Sequence, residues 1–351
     1  MQRAYQQPNL RLAAGEPGDP ALVKALQRDL RQLGYLARGI DGAFGAGTER
    51  AVRALQWDLL NNRGESSGSD GAAPVSLVDY NRGRVVAVDG VLEQDLAACL
   101  ADLIADDSVP KLPNAEDPVA ENRRALEAIA SAGGGVVPGP ILQAISIQES
   151  GGRHYCVPHG ADEDDFVAVG LDRRFGDDRV TSRGYGIGQY TLFHHPPRPE
   201  EVSSLMLDPV GNVGRAVRVL RQKFDGLVAA GSSRADDRDA EHPGLPLRVC
   251  RYEPSDRRYL RDCRACAGEA RKLEISEGTP VYRGAPIAYR PDRYYASADY
   301  SGVPDRADFL CDWPYAVRRY NGGGNDSYHY QTRVLLHLLA LPAPAEPGVG
   351  D

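Results

Sequence analysis

Apolar residues recur at intervals of three and four along much of the chain, and this spacing constrains the fold more than any other feature. Leu26, Leu30 and Leu33 form one such stripe, which ends at Gly34. Residues three and four apart lie on the same side of an α-helix. Further stripes predict helices over 121–132, 140–149 and 212–224, and again near the C-terminus over 313–320 and 328–341. The Gly151-Gly152 pair is predicted to stop the second of these helices. The pattern therefore predicts a mainly α fold.

Two Asp-Gly turns each precede a helical stripe in the N-terminal part. Asp41-Gly42 comes before Ala51–Leu59, with Thr48 predicted as the helix N-cap, and Asp89-Gly90 comes before Leu92–Ile104. Aspartate and glycine are typical turn residues, and threonine favours the N-cap. These units, together with the first stripe, predict a small three-helix module.

The length of 351 residues is that of roughly two domains. Asp106–Pro118 contains three prolines and four acidic residues, a composition typical of a linker. We therefore expect a first domain over 20–106, a linker over 107–119 and a second, helical domain over 120–342. The helical rhythm of the second domain is interrupted near 153–183 and 225–310, which predicts irregular insertions there.

The formal net charge of −8 argues against a nucleic acid partner, because proteins that neutralise phosphates usually carry a basic face. Any attraction to an anionic bacterial envelope must then rest on shaped binding sites rather than on net charge. No apolar run is long enough to span a membrane, and the N-terminal residues lack the apolar core of a signal peptide. We expect no membrane span and no export by a signal of the chain itself.

The six cysteines are compatible with three interpretations of their chemical state. Cys263 and Cys266 form one CxxC pair with Cys250 and His242 upstream, so a zinc knuckle, disulfides and free thiols are all compatible. Disulfides are favoured over zinc, and Cys156 is expected to fix the adjacent insertion in this way. The histidines stand in no HExxH pattern and beside no nucleophilic serine motif, so we predict no metal and no cofactor.

The N-terminal module resembles the bacterial peptidoglycan-binding domain family. The resemblance covers about residues 20–106 and implies peptidoglycan as a partner. The matching elements occur in the family's order: Leu26-Gln27, Leu33-Gly34-Tyr35, Asp41-Gly42, Phe44-Gly45, Thr48, Ala51-Val52, Gln56 and Asp89-Gly90-Val91.

The C-terminal part resembles the lysozyme-like superfamily, especially soluble lytic transglycosylases and goose-type lysozymes. Four blocks stand in the family's order between about 120 and 342: Ile147–Gly152, Gly186–Gln189, Asp208-Pro209 with Asn212, and Ala316 with Tyr320-Asn321-Gly322. The resemblance implies cleavage of the β-1,4 bond between N-acetylmuramic acid and N-acetylglucosamine, by a lytic transglycosylase or a muramidase.

The same resemblance assigns the site residues. Glu149 is the general acid and base, Gln189 and Gly186 contact the substrate, Tyr320 orients Glu149, and Asn321 contacts a sugar. Cleavage needs a carboxylic acid that keeps its proton near neutral pH. The predicted place of Glu149, at the C-terminal end of an apolar helix, favours the protonated form.

No second catalytic carboxylate can be identified from the sequence. The residues between Glu149 and Gly186 offer seven candidates, each more typical of a solvated loop: Asp162, Glu163, Asp164, Asp165, Asp172, Asp177 and Asp178. Transglycosylases of the resembled family work with one glutamate, and the sequence is compatible with that mechanism.

A non-catalytic wall-binding or structural component of a phage tail or secretion spike is the alternative. In either case we expect action in the bacterial periplasm or cell wall after delivery by phage lysis or by a secretion apparatus. A phage endolysin and an antibacterial effector with an immunity protein both fit this expectation.

Overall fold

The computed structural model describes residues 3–342 except 38, 67, 69–70, 133–134, 136, 161, 174–177, 227–247, 262, 264–309 and 322–324. Most of the predicted insertion at 225–310 lies outside the described residues, as do His242, Cys266, Asp177 and Gly322. The part that is described is mainly α, as predicted. Within it, no helix has the length and apolar character needed to cross a bilayer.

Helices make up most of the N-terminal and C-terminal parts of the chain. Between them in the sequence, three strands form a small sheet. The longer helices are α1 (Pro20–Gln32), α2 (Ala46–Asn61), α4 (Gln94–Ala105), α5 (Pro118–Ala132), α6 (Gly139–Ser150), α8 (Pro209–Asp225) and α10 (Asn325–Ala340). Shorter helices are α3 (Val78–Asn81), α7 (Pro199–Glu201), followed by a π-helical segment Val202–Met206, and α9 (Trp313–Ala316), followed by a 3-10 helix Val317–Asn321. The strands are β1 (Arg11–Leu12), β2 (Leu92–Glu93), β3 (Val169–Arg173), β4 (Val180–Tyr185) and β5 (Tyr190–Leu192).

The chain forms two compact units, and neither is continuous in sequence. The first unit consists of residues 1–125 and 153–212, and the second of 126–152 and 213–351. The division differs from the continuous domains predicted at 20–106 and 120–342, because residues 153–212 fold with the N-terminal module.

Two glutamines explain the repeated turn-then-helix pattern of the first unit. The Gln27 side chain on α1 accepts a hydrogen bond from Gly42 N at 2.9 Å and donates to Asp41 Oδ1 at 2.8 Å. Gln56 on α2 binds the Asp89-Gly90 turn in the same way. It accepts a hydrogen bond from Gly90 N at 2.8 Å and donates to Asp89 Oδ1 at 2.6 Å. Each buried amide thus satisfies the polar groups of the Asp-Gly turn that follows it.

The predicted N-cap role of Thr48 is wrong. Helix α2 begins at Ala46 with Gly45 as its N-cap, so Thr48 lies inside the first turn. Its hydroxyl donates to Ala43 O at 3.2 Å and accepts from the Gln27 amide at 3.0 Å. The buried threonine therefore joins the turn to α1 rather than capping its own helix.

The predicted linker is packed into the first unit. Val109 and Leu112 are buried, and Leu112 N donates to Gln32 O at 2.8 Å. Ala115 N donates to Asp165 O at 2.8 Å, which joins this segment to the chain beyond Glu149. A composition rich in proline and acidic residues is compatible with an ordered extended segment when its apolar side chains find a core.

The segment predicted as the first irregular insertion contains most of an antiparallel sheet. Its strand order is β3-β4-β5, with Gly170 opposite Gly184 and Tyr185 opposite Tyr190. Phe166 and Val180 from this region are buried in the same hydrophobic core as α1, α2 and α4. The sheet is therefore an integral part of the first unit.

The second unit is built on the packing of α6 against α10. Helix α6 is apolar, with Ile141, Leu142 and Ile145 buried, and it ends where the Gly151-Gly152 pair was predicted to stop it. Gly151 adopts a left-handed conformation with φ of 67°, which glycine tolerates without steric cost. Trp313 is fully buried and stacks on Phe224, with ring centroids 3.8 Å apart.

Candidate active site residues

Glu149 lies in the last turn of α6 and is half-buried. The hydroxyl of Tyr330, on α10, donates a hydrogen bond to Glu149 Oε1 at 2.6 Å. Burial raises the pKa of Tyr330 well above its ordinary value, and the adjacent Glu149 charge raises it further. The phenol therefore stays a donor at any physiological pH and fixes one carboxyl oxygen of Glu149.

Tyr320 and Asn321 lie at the end of the 3-10 helix, in the same unit as Glu149. The Tyr320 ring is nearly parallel to that of Tyr330, at 13°, with centroids 6.5 Å apart. Burial and the Glu149 charge raise the pKa of Tyr320. Asn321 is exposed. Tyr320 is thus close enough to Glu149 to feel its charge, while the 2.6 Å hydrogen bond comes from Tyr330.

The other predicted site residues, Gly186 and Gln189, belong to the loop between β4 and β5 in the first unit. The loop is anchored by two buried side chains. Ile187 N donates to His154 Nδ1 at 3.2 Å, and Gly188 N donates to Asn212 Oδ1 at 2.8 Å. The Asn212 amide also donates to the carbonyls of Tyr185 and Leu205, at 2.8 and 2.7 Å. The loop backbone is therefore held at fixed positions on both sides.

Gly186 has a left-handed φ of 73°, and a Cβ at this position would overlap the His154 ring and the Asn212 amide. Glycine is thus required here by the anchoring side chains as well as by the backbone. The role of Gly186 in substrate contact, which the family resemblance implies, stays a prediction.

Gln189 is half-buried and is folded back over the sheet. Its Nε2 donates to Gly186 O at 2.9 Å, and its Oε1 occupies space that a Cβ at Gly170 or Gly184 would fill. These two glycines face each other on β3 and β4. Their absent side chains therefore make room for the Gln189 amide, which can both donate and accept hydrogen bonds.

Five of the acidic residues considered as second carboxylates are engaged in the first unit. Glu163 is paired with Arg28 through two hydrogen bonds of 2.8 and 2.7 Å, and Asp178 with Arg53 through two of 2.7 and 2.9 Å. Asp164, Asp165 and Asp172 contact Arg31, Asn114 and Ser182, respectively. These contacts attach the acidic segment to its own unit, and to α1 and α2 in particular.

The cysteines and histidines form no obvious reactive centre in the described part. Cys156 has a free thiol there, so the disulfide predicted for it is not present. His154, His194 and His195 are buried, and burial lowers the pKa of His154 to about 4 and that of His195 well below its ordinary value. The imidazoles of His154 and His195 are therefore neutral, enclosed structural groups.

Two residues of these sites escaped the prediction from sequence. Tyr330 lies in a predicted helix, but a tyrosine on a buried helix face carries no local signal of a carboxylate partner. His154 follows Glu149 by five residues, and no motif in the sequence assigns it a partner. Its link to Ile187 spans 33 residues and becomes visible only in the folded chain.

Comparison with known proteins gives one match. No curated protein and no solved structure matches the chain. Residues 19–59, which contain α1, the Asp41-Gly42 turn and most of α2, match the family model described as a putative peptidoglycan binding domain. Over these residues the N-terminal part of the chain is therefore similar to a peptidoglycan-binding domain, as predicted, and peptidoglycan is the partner that such a domain implies.

Proposed function

We propose that this protein cleaves the glycan strands of peptidoglycan at the β-1,4 bond between N-acetylmuramic acid and N-acetylglucosamine. The observation that carries the proposal is the half-buried Glu149 carboxyl at the end of α6, held by the Tyr330 hydroxyl at 2.6 Å. The peptidoglycan-binding domain in the same chain supplies the substrate class. Cell-wall association follows from that domain alone, and the catalytic step is the proposal.

In the proposed reaction, Glu149 donates a proton to the leaving glycosidic oxygen and then acts as base. Because Tyr330 holds Oε1, the position of that oxygen is fixed relative to α10. In the second step, Glu149 accepts a proton from the incoming nucleophile. That nucleophile is either water or the 6-hydroxyl of the muramic acid residue, whose attack closes an anhydro ring.

The engagement of the acidic segment supports a mechanism that uses one carboxylate. Glu163 and Asp178, each bound by an arginine through two hydrogen bonds, are committed to structural ion pairs. Bidentate pairing of this kind fixes the geometry of a carboxylate and engages both of its oxygens. Such a group is poorly placed to attack a sugar carbon or to take a proton from water.

Substitution Glu149→Gln tests the proposal. The amide keeps the size of the side chain and can still accept the Tyr330 hydrogen bond, but it cannot donate a carboxylic proton. We expect release of soluble fragments from purified sacculi to fall by about 100-fold or more. Binding to sacculi and the melting temperature should be unchanged. Glu127→Gln is the matched control, because Glu127 is an exposed glutamate of the same unit.

Mass spectrometry of the released fragments identifies the reaction. Ends of 1,6-anhydro-muramic acid mean a transglycosylase, and reducing muramic ends mean a hydrolase. Full activity of Glu149→Gln would overturn the assignment of the acid. A wild-type protein that binds sacculi and releases nothing would instead be a wall-binding component without catalysis.

Tyr330→Phe tests the role of the hydroxyl. The ring and its packing are kept, and only the hydrogen bond to Glu149 is lost, so we expect kcat to fall by about ten-fold with a stability loss near 1 kcal/mol. The matched control is Tyr80→Phe, which removes a tyrosine–carboxylate bond of 2.8 Å to Asp106 in the first unit. Equal activities of the two variants would contradict the role given to Tyr330.

A further inference from the structure

A buried ion pair joins the peptidoglycan-binding domain to the sheet of the first unit. Arg183 on β4 and Asp58 on α2 have nearly inaccessible side chains, 4% and 5% exposed, and Arg183 Nη2 lies 3.2 Å from Asp58 Oδ2. Asp58 belongs to the segment that matches the peptidoglycan-binding family. Burying two opposite charges demands close pairing, because an unpaired buried charge is very costly.

Polar side chains around the ion pair form further contacts with it. Tyr35 OH donates to Asp58 Oδ2 at 2.7 Å, and burial raises the pKa of Tyr35 well above its ordinary value. Asn62 bridges two segments, donating to Asp58 Oδ1 at 3.2 Å and to His195 O at 3.0 Å. The Arg183 guanidinium lies over the Tyr35 ring, 5.2 Å from its centroid. Asp58 on α2 and Tyr35, just beyond the end of α1, thus specify the position of one β4 side chain.

Arg183 lies on β4, three residues before Gly186, the first residue of the β4–β5 loop. After Arg183 come Tyr185, whose carbonyl is held by Asn212, and then the loop that carries Gln189. A fixed Arg183 therefore fixes the strand from which the loop emerges. We propose that Asp58, Tyr35 and Arg183 are positioning residues, through which the peptidoglycan-binding domain sets the conformation of the Gly186–Gln189 loop.

The inference rests on the proposed function and adds a role for the binding domain within the cleavage step. A tethered targeting domain raises the local concentration of substrate and leaves the chemistry of each turnover unchanged. Here the domain shares a hydrophobic core with the sheet, and its buried carboxylate compensates the Arg183 charge. Perturbing the pair should accordingly alter kcat on a substrate that needs no wall attachment.

The test compares variants on soluble glycan strands and on insoluble sacculi. We expect Asp58→Asn and Tyr35→Phe to lower kcat on soluble strands by about ten-fold, since small misplacements of a site are costly. Their affinity for sacculi should change by less than about two-fold, as expected for side chains that are buried and do not reach the surface of the domain. The matched control is Arg28→Gln, which breaks an ion pair between the same two segments at the surface. It should behave as wild type.

Hydrogen exchange of the 183–192 peptide gives a readout that does not need activity. Faster exchange at the Ile187 and Gly188 amides in Tyr35→Phe, with no change in Arg28→Gln, is the expected result. If Asp58→Asn fails to fold, Tyr35→Phe decides. Wild-type kcat and exchange in Tyr35→Phe would overturn the inference, as would equal losses in Arg28→Gln. If wild type cleaves no glycan, the proposed function fails, while the exchange result still decides whether the domain positions the loop.

Discussion

The enclosed side chain of His154 contributes a defined response to acid in the first unit. His154 is fully buried, its Nδ1 accepts from Ile187 N, and the imidazole is therefore neutral, with the proton on Nε2. Burial lowers its pKa to about 4, against an ordinary value of 6.5. The folded state excludes a proton that the unfolded chain takes up below pH 6.5, so stability is lost as the pH falls from 6.5 towards 4.

We expect His154 to account for a loss of about 3 kcal/mol in the free energy of unfolding across that interval, since each pKa unit corresponds to about 1.4 kcal/mol. Denaturant unfolding of wild type and His154→Gln at pH 7 and pH 4.5 measures the difference. The glutamine variant should be less stable at pH 7 and should have the shallower slope, because its amide does not titrate. His159→Gln, an exposed histidine of the same unit, is the control. Parallel pH profiles in wild type and His154→Gln would contradict the prediction.

At the scale of the element, the β4–β5 loop depends on a glycine whose neighbours leave no space. Gly186→Ala combines a left-handed backbone, which costs an alanine about 1–2 kcal/mol, with overlap of the new methyl with His154 and Asn212. We expect a total loss near 3 kcal/mol in unfolding free energy. Gly160→Ala is the matched control, because its φ is +64° and no atom lies within 4 Å of a new Cβ. It should lose only the backbone cost, and equal losses would contradict the argument.

The elements that the sequence predicts well are those whose signal is local. The stripes predicted helices at the places of α1, α2, α4, α5, α6, α8 and α10, and Gly151 was correctly identified as the stop of α6. The sheet was missed because β3 and β4 lack a clear alternation of apolar and polar residues. Arg183 and Ser182 are buried on β4 beside Gly184, and they are stabilised by distant partners that no local pattern encodes.

In the candidate site, too, the residues in local sequence motifs could be predicted and those that depend on long-range contacts could not. Glu149 and Gln189 stand in short motifs and could be singled out from the sequence, although their roles stay predictions. Tyr330 is separated from Glu149 by 181 positions, and His154 from Ile187 by 33. Contacts over such distances depend on how the helices and strands pack, which spacing alone does not determine.

At the scale of the whole molecule, the organisation of the chain into discontinuous units predicts an ordered segment in place of the linker. The amides of Leu112 and Ala115 are bonded to Gln32 O and Asp165 O, and Leu112 is buried. We expect both amides to exchange hydrogen at least about 100-fold more slowly than an unstructured peptide, as buried hydrogen-bonded amides do. The exposed Val86 in an irregular stretch of the same unit provides the comparison. If the amides of residues 109–115 exchanged hydrogen at the rate of an unstructured peptide, this segment would be a flexible linker after all.

The arginine pairs on α1 and α2 have a practical consequence for anyone who transplants the wall-binding segment. Excised as residues 19–59, it would lose the carboxylates of Glu163, Asp164 and Asp178 that now face Arg28, Arg31 and Arg53. Three uncompensated cations would then meet an anionic polymer, and a graft of this kind would adhere to sacculi in a manner that rising ionic strength abolishes. Pull-downs with such a graft would measure non-specific electrostatic binding. In the intact chain those cations are already neutralised, so a pull-down reports specific recognition of the polymer.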